Sequence, residues 1–257
     1  MKKVTAFVGS ARKRNTYKAV VQFMTNLQAL GDVEYEIVTL SDYRLGICRG
    51  CCLCFEKGEE FCPLKDDRDV LMEKIAASDG VVFATPNYSF QLSGLMKIFL
   101  DRFGFAFHRP RYFGKAFTSI VTQGFSRGGE IVKYLDFFGT YLGFNTMKGS
   151  CVTILDPRTE KDQRKIDRAL AEQSRRFYAM LVKPAYPVPS LLKLMVFRMG
   201  RTTMYQMLDD RSRDFRYYAD KGWFESDYYY PTRLSPLKKI AGKLFDSLSG
   251  TVRNMIT

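Results

Sequence analysis

The strongest constraint on this chain is an alternation. From the N-terminus to about Lys183, short apolar, β-branched runs take turns with longer segments of helical periodicity. Lys3–Val8 reads as a strand broken by Gly9-Ser10, and Tyr17–Leu30 places Val20, Val21, Met24 and Leu27 on one helix face. Tyr35–Leu40 is a second strand. A short helix from about Asp67 to Ala77 follows, with Asp66 or Asp67 as its N-cap. Gly80–Thr85 is a buried third strand that Pro86 is expected to stop, and Leu92–Phe103 is the next helix. Ala116–Gln123, Gly129–Leu142, Thr146–Leu155 and Glu160–Val182 continue as strand, helix, strand and helix. Strands joined through helices run parallel and are covered on both faces. The fold class expected is α/β.

Five such units match a flavodoxin-like sheet: open, parallel, five-stranded, with order 2-1-3-4-5 and helices on both faces. This domain is expected over residues 1–183, with a Cys-rich loop at 48–62. Pro184, Pro187 and Pro189 then mark a linker, and residues 184–257 read as a basic, amphipathic, mainly helical C-terminal extension. Within it, Ser190–Leu208 mixes Leu, Met and Phe with Lys193, Arg198 and Arg201. Pro236–Leu248 sets Leu237, Ile240, Leu244, Phe245 and Leu248 on one face, with Lys238, Lys239 and Lys243 around it. Helices of this kind more often dock on their own core or on a second subunit than lie on a membrane surface.

Composition removes several function classes. No stretch approaches the roughly 20 apolar residues needed to span a bilayer. Met1-Lys2-Lys3-Val4 runs into a strand with no cleavage-site region, so a cytoplasmic location is expected. His108 is the single histidine, which excludes chemistry built on several. The net charge of +13 is shared between both parts of the chain. That favours anionic small molecules or an acidic redox partner and speaks against nucleic acid.

In an open α/β sheet, ligands bind beyond the carboxyl ends of the strands, where strand order reverses. Three loops lie there. Gly9–Thr16 brings Ser10, Arg12, Asn15 and Thr16 to a helix N-terminus, a natural phosphate seat; the plain alternative is a capped helix with a basic surface loop. Thr85–Gly94 offers Pro86, Asn87, Tyr88, Ser89 and Phe90, with two flat rings for a ring system. Thr122–Gly129 supplies Thr122 and three glycines, Gly124, Gly128 and Gly129, that let backbone approach a ligand.

Together these loops resemble the NADPH-dependent FMN reductase group of flavodoxin-like proteins. The carrying residues are Gly9-Ser10-x-Arg12 with Asn15-Thr16, Pro86-x-Tyr88 with Ser93-Gly94-x-x-Lys97 and Asp101-Arg102, and Gly124 with Gly128-Gly129. The resemblance covers about residues 1–180. It implies FMN, its phosphate on the Ser10–Thr16 loop and its isoalloxazine between the Pro86–Phe90 and Thr122–Gly129 loops. The family loop usually has one more residue before the Asn-Thr pair.

The cysteines add a second signature. Cys48-x2-Cys51-x2-Cys54-x7-Cys62-Pro63 has the spacing of iron–sulfur ligation, in which one loop wraps a 4Fe-4S cubane with four thiolates. Zinc usually takes two separated pairs, and a cluster-free cysteine loop is the other alternative. The adjacent Cys51 and Cys52 leave open which of them ligates. The spacing, directly after the second strand, also resembles the iron–sulfur flavoprotein family. Cys151 reads as a small buried hydrophobe.

A flavin would carry the chemistry, so no catalytic side chain is named and His108 is read as a rim residue. The reaction expected is FMN-dependent transfer of electrons from NAD(P)H, or from a ferredoxin through the cluster, to a quinone, flavin or other small acceptor. The rival readings are a non-enzymatic flavin carrier and a cysteine-based redox sensor. A homodimer or homotetramer is expected from the resemblance.

Overall fold

In the first strand, β1 (Lys2–Val8), alternate residues point to opposite faces, and both faces are covered. Val4, Ala6 and Val8 enter one apolar layer, while Thr5 and Phe7 are buried on the other side. This structure is a computed structural model that describes residues 1–256, with side chains through Ser249.

On the first face lie α1 (Asn15–Leu30) and α7 (Glu160–Leu181), which pack Val20, Phe23, Leu27, Leu170 and Phe177 against the sheet. The second face is aromatic. Phe7 of β1, Phe83 of β3 (Gly80–Tyr88) and Phe117 of β5 (Ala116–Gln123) form a row. Phe7 and Phe83 lie 5.7 Å apart, and Phe83 and Phe117 lie 5.0 Å apart, in edge-to-face contact. Phe99 of α4 (Gly94–Asp101) stacks on Phe7 at 5.3 Å, and Phe138 of α6 (Gly128–Tyr141) closes on Phe83 at 6.4 Å. Short helices α3 (Arg68–Ala76) and α5 (Gly104–His108) complete the series on either side of β3 and α4.

The strands are parallel from β2 (Val33–Thr39) through β1, β3 and β5 to β6 (Asn145–Thr146). A two-residue strand, β4 (Gln91–Leu92), turns back on β3, and β7 (Ser150–Thr153) also pairs with β5. With β4 set aside and β6 and β7 taken as one split strand, this is the expected 2-1-3-4-5 progression, with seven strands in place of five.

Two local expectations change. Pro86 lies inside β3 instead of ending it, because its pairing with Thr122 is the last rung against β5 and a missing N–H costs little there. The fifth strand is split into β6 and β7. Asp136 of α6 accepts hydrogen bonds from Ser119 Oγ (3.1 Å) and from the Gly149 N–H (3.1 Å), so a side chain takes a bond from the ladder.

The chain divides into two units, Met1–Arg49 with Leu64–Ala185, and Gly50–Pro63 with the chain from Tyr186 onward. Most of the Cys-rich loop therefore groups with the C-terminal extension. The loop's helix α2 (Leu53–Glu56) packs against α9 (Arg213–Asp220). The other helices of this unit are α8 (Leu191–Met207) and α10 (Pro236–Ile256), which pack against each other. Leu194, Phe197, Tyr218, Trp223, Tyr228 and Leu234 form its buried interior. Among the described residues, no helix is long and apolar enough to cross a membrane.

Candidate functional site

Beyond the carboxyl ends of β1, β3 and β5, the first unit opens a cleft of about 250 Å³. Its floor is tied together by short polar contacts. Ser93 caps α4 and donates to the Gly9 carbonyl at 2.5 Å, while Thr85 Oγ1 accepts from the Ser93 N–H at 3.0 Å. Thr16 and Thr122, both buried, share a hydroxyl hydrogen bond of 2.6 Å across 106 residues of chain.

The first loop forms one wall. Ser10, Arg12, Asn15 and Thr16 all line it, and Arg14 joins them. Helix α1 starts at Asn15, earlier than the periodicity indicates, and no side chain caps its first turn. The free N–H groups of that turn and the positive end of the helix dipole make this an anion seat. Arg158, from the loop after β7, reaches Asn15 Oδ1 at 3.4 Å and Gln163 Oε1 at 2.8 Å.

The second loop is a hairpin. Pro86, Asn87 and Tyr88 line the cleft, whereas Ser89 and Phe90 form the turn between β3 and β4. Both turn residues have positive φ, 50° and 64°, which is uncommon for such side chains. The Phe90 ring is exposed and sits 5.8 Å from the Arg127 guanidinium. Phe90 instead borders a second hollow with Lys97, Glu130 and Tyr134. Asn87 Nδ2 donates to the Ser126 carbonyl at 2.7 Å, which pins the hairpin to the third loop, and its buried Oδ1 has no partner.

From the third loop, Thr122, Gln123 and Gly124 line the cleft. Gly128 and Gly129 do not. Gly128 is instead a packing glycine: a Cβ there would lie 2.3 Å from Cys151 Sγ and 2.6 Å from Gln123 Oε1, which accepts the Gly128 N–H at 2.7 Å. Gly129 faces open space. Ile154 and Asp156 add a wall from the end of the fifth strand. Their place at the same sheet edge was the signal that would have found them.

Cys48, Cys51 and Cys52 are exposed, while Cys54 and Cys62 are half-buried. Among the described residues, no three His, Cys, Asp or Glu side chains converge as a metal ion requires. Cys48 belongs to the first unit, and Cys51, Cys54 and Cys62 belong to the second. Cys151 is half-buried, and burial pushes its thiol up to about 11, so it stays protonated. His108 is exposed at the end of α5.

Arg102, part of the sequence signature, acts at a distance from the cleft. With its guanidinium buried, it binds the Asp66 carboxylate and the Gly46 carbonyl (3.1 Å). Asp66 also accepts the Gly46 N–H at 2.8 Å. Burial opposes the charge on Asp66, but Arg102 and the Gly46 and Arg68 N–H groups outweigh it and hold its pKa below the ordinary carboxylate value.

Residues 2–155, more than half of the chain, match the model of the NADPH-dependent FMN reductase family. This chain belongs to that family. An iron-sulfur flavoprotein of Archaeoglobus fulgidus is 35% identical over 128 residues, covering 49% of this chain and 62% of the relative. The chain thus spans less than two thirds of that relative's length. In fold, the chain is similar to a putative quinone reductase from Klebsiella pneumoniae, with a TM-score of 0.57 at 18% identity over 74% of this chain and 88% of the other. It is also similar to RosB bound to a riboflavin 5'-phosphate derivative, with a TM-score of 0.56 at 12% identity over 92% of each chain. The cleft of this chain fits a flavin mononucleotide on its own terms. An uncapped helix end among arginines suits a phosphate, and the unpaired Asn87 Oδ1 suits a donor on a ring edge.

Proposed function

We propose that this chain is an FMN-dependent oxidoreductase that takes electrons from NAD(P)H and passes them to a small acceptor such as a quinone or a second flavin. The observation that carries the reading is the uncapped N-terminus of α1, which opens with Ser10, Arg12 and Arg14 into a cleft whose far wall holds Asn87 and Tyr88. Bound FMN supplies the redox chemistry, accepting a hydride and releasing electrons singly or in pairs.

The side chains have positioning roles. Ser10, Arg12, Arg14 and the first N–H groups of α1 neutralise and orient the phosphate. Asn87, steadied by its bond to Ser126, accepts from the ring edge, and Tyr88 offers a face for the ring system. Thr16–Thr122 fixes the spacing between the phosphate wall and the ring wall. No protein group has to move a proton for hydride transfer to proceed, which agrees with a chain that has one exposed histidine.

The test is direct. Titration of the purified chain with FMN is expected to quench flavin fluorescence at one site per chain, and the loaded protein is expected to oxidise NADPH in the presence of a quinone. No FMN uptake would sink the reading. FMN uptake without NADPH oxidation, but with rapid reduction by ferredoxin, would turn it into an electron carrier. No electron step is assigned to a cluster on the Cys loop. Iron and sulfide analysis after anaerobic purification decides that point, because about four irons per chain would put a cubane on the electron path.

A further inference from the structure

The second unit buries two arginines and leaves several large apolar side chains exposed. On α8, the inward residues include Arg198 and Arg201, both buried. Asp246 of α10 accepts from both, at 2.5 Å and 2.8 Å, and Asp227 adds a contact to Arg198 at 3.0 Å. The exposed side chains of the same helix include Leu192, Val196 and Met207, and Leu191–Met207 contains no acidic residue.

Helix α10 repeats the arrangement in clearer form. Leu237, Ile240, Leu244 and Leu248 recur at steps of three, four and four, so they form one stripe, and each is more than half exposed. Lys239 and Lys243 are exposed on the flank of that stripe, with no acidic partner among the described residues. The one acid of α10 in residues 236–249, Asp246, is engaged by Arg198 and Arg201 on the opposite side. A row of four large apolar side chains beside unopposed lysines is costly to leave in water.

We propose that this stripe docks α10 in the plane of an anionic lipid surface, with the leucines and isoleucine among the acyl chains and Lys239 and Lys243 at the headgroups. Charge decides between this occupant and a second copy of the chain. A two-fold apposition of the stripe would place like-charged lysine rows against each other, whereas an anionic bilayer meets them with opposite charge. The helix lies on the surface and does not span it.

Cosedimentation of the full-length protein with phosphatidylcholine vesicles, with and without phosphatidylglycerol, tests this at low and high salt. Binding is expected only with the anionic lipid and is expected to weaken as salt rises. Lys239→Gln with Lys243→Gln is expected to lower the partition about 30-fold at low salt, from roughly fivefold per lysine. Ile240→Asp with Leu244→Asp is expected to lower it at least about tenfold. All four side chains are exposed, so unchanged circular dichroism is expected to accompany the loss. Three results would overturn the proposal: no sedimentation with anionic vesicles, binding indifferent to both pairs, or a vesicle-free dimer in the ultracentrifuge that Ile240→Asp with Leu244→Asp disperses.

Discussion

Two side chains show how far a single residue can be read. Arg12 lines the cleft at the open end of α1, where a charge-assisted bond to a phosphate would contribute about 1.5–3 kcal/mol. Arg12→Ala is therefore expected to weaken FMN binding by about 10- to 100-fold and to leave riboflavin, which lacks the phosphate, unaffected; parallel fluorescence titrations check this. Asp66 is a structural counterpart. Its carboxylate joins Gly46 to Arg102 beneath the start of the Cys loop, and both partners of the ion pair are buried. Removing one partner of a buried pair costs about 3 kcal/mol, so Asp66→Asn is expected to lower stability by that order in urea melts at neutral pH. Because the folded-state pKa of Asp66 is depressed, its contribution is present above the unfolded value near 4. That contribution is lost as pH falls through the lowered value, so the gap between wild type and variant should close in acid.

At the scale of elements, the strand–helix alternation was legible because burial on both faces leaves continuous apolar runs that periodicity can detect. The hairpin after β3 was not. Ser89-Phe90 lacks the Asn-Gly chemistry of a two-residue turn, and Pro86 looked like a stop signal. The positive φ at Ser89 and Phe90 is strain held in the turn between β3 and β4. Ser89→Asn with Phe90→Gly is expected to raise stability by about 1–2 kcal/mol and to leave FMN affinity unchanged, since neither side chain lines the cleft. Thermal melts and FMN titration read the two effects separately, and a several-fold loss of affinity would place the Phe90 ring against the bound flavin. Gly128 was legible as a glycine that mattered, but for the wrong reason. The contact that requires it comes from Cys151, 23 residues away, which no local pattern reveals. Gly128→Ala is expected to cost about 1–3 kcal/mol, and Cys151→Ala in the same chain should recover part of that loss. Arg158 was missed for a similar reason, since its partner Asn15 lies 143 positions away.

At the scale of the whole molecule, the charge is the property that no single loop explains. The net +13 is distributed over both units, and Arg12 and Arg14 stand at the mouth of a cleft already polarised by the end of α1. A field of this kind raises the encounter rate of an anionic ligand more than its final affinity, because long-range steering acts before contact and is screened by salt. Stopped-flow association of FMN is therefore expected to slow by about an order of magnitude between about 20 and 200 mM salt, as the Debye length contracts to under 10 Å. Riboflavin, which has the same ring system without the phosphate charge, is expected to associate at a rate that barely changes. The Arg12→Ala chain is expected to keep most of the salt dependence of the FMN on-rate, since one charge of many is removed, while its dissociation rate rises. Equal salt slopes for FMN and riboflavin would mean that the global field does not reach the cleft. The positive charge would then belong to other surfaces of the molecule.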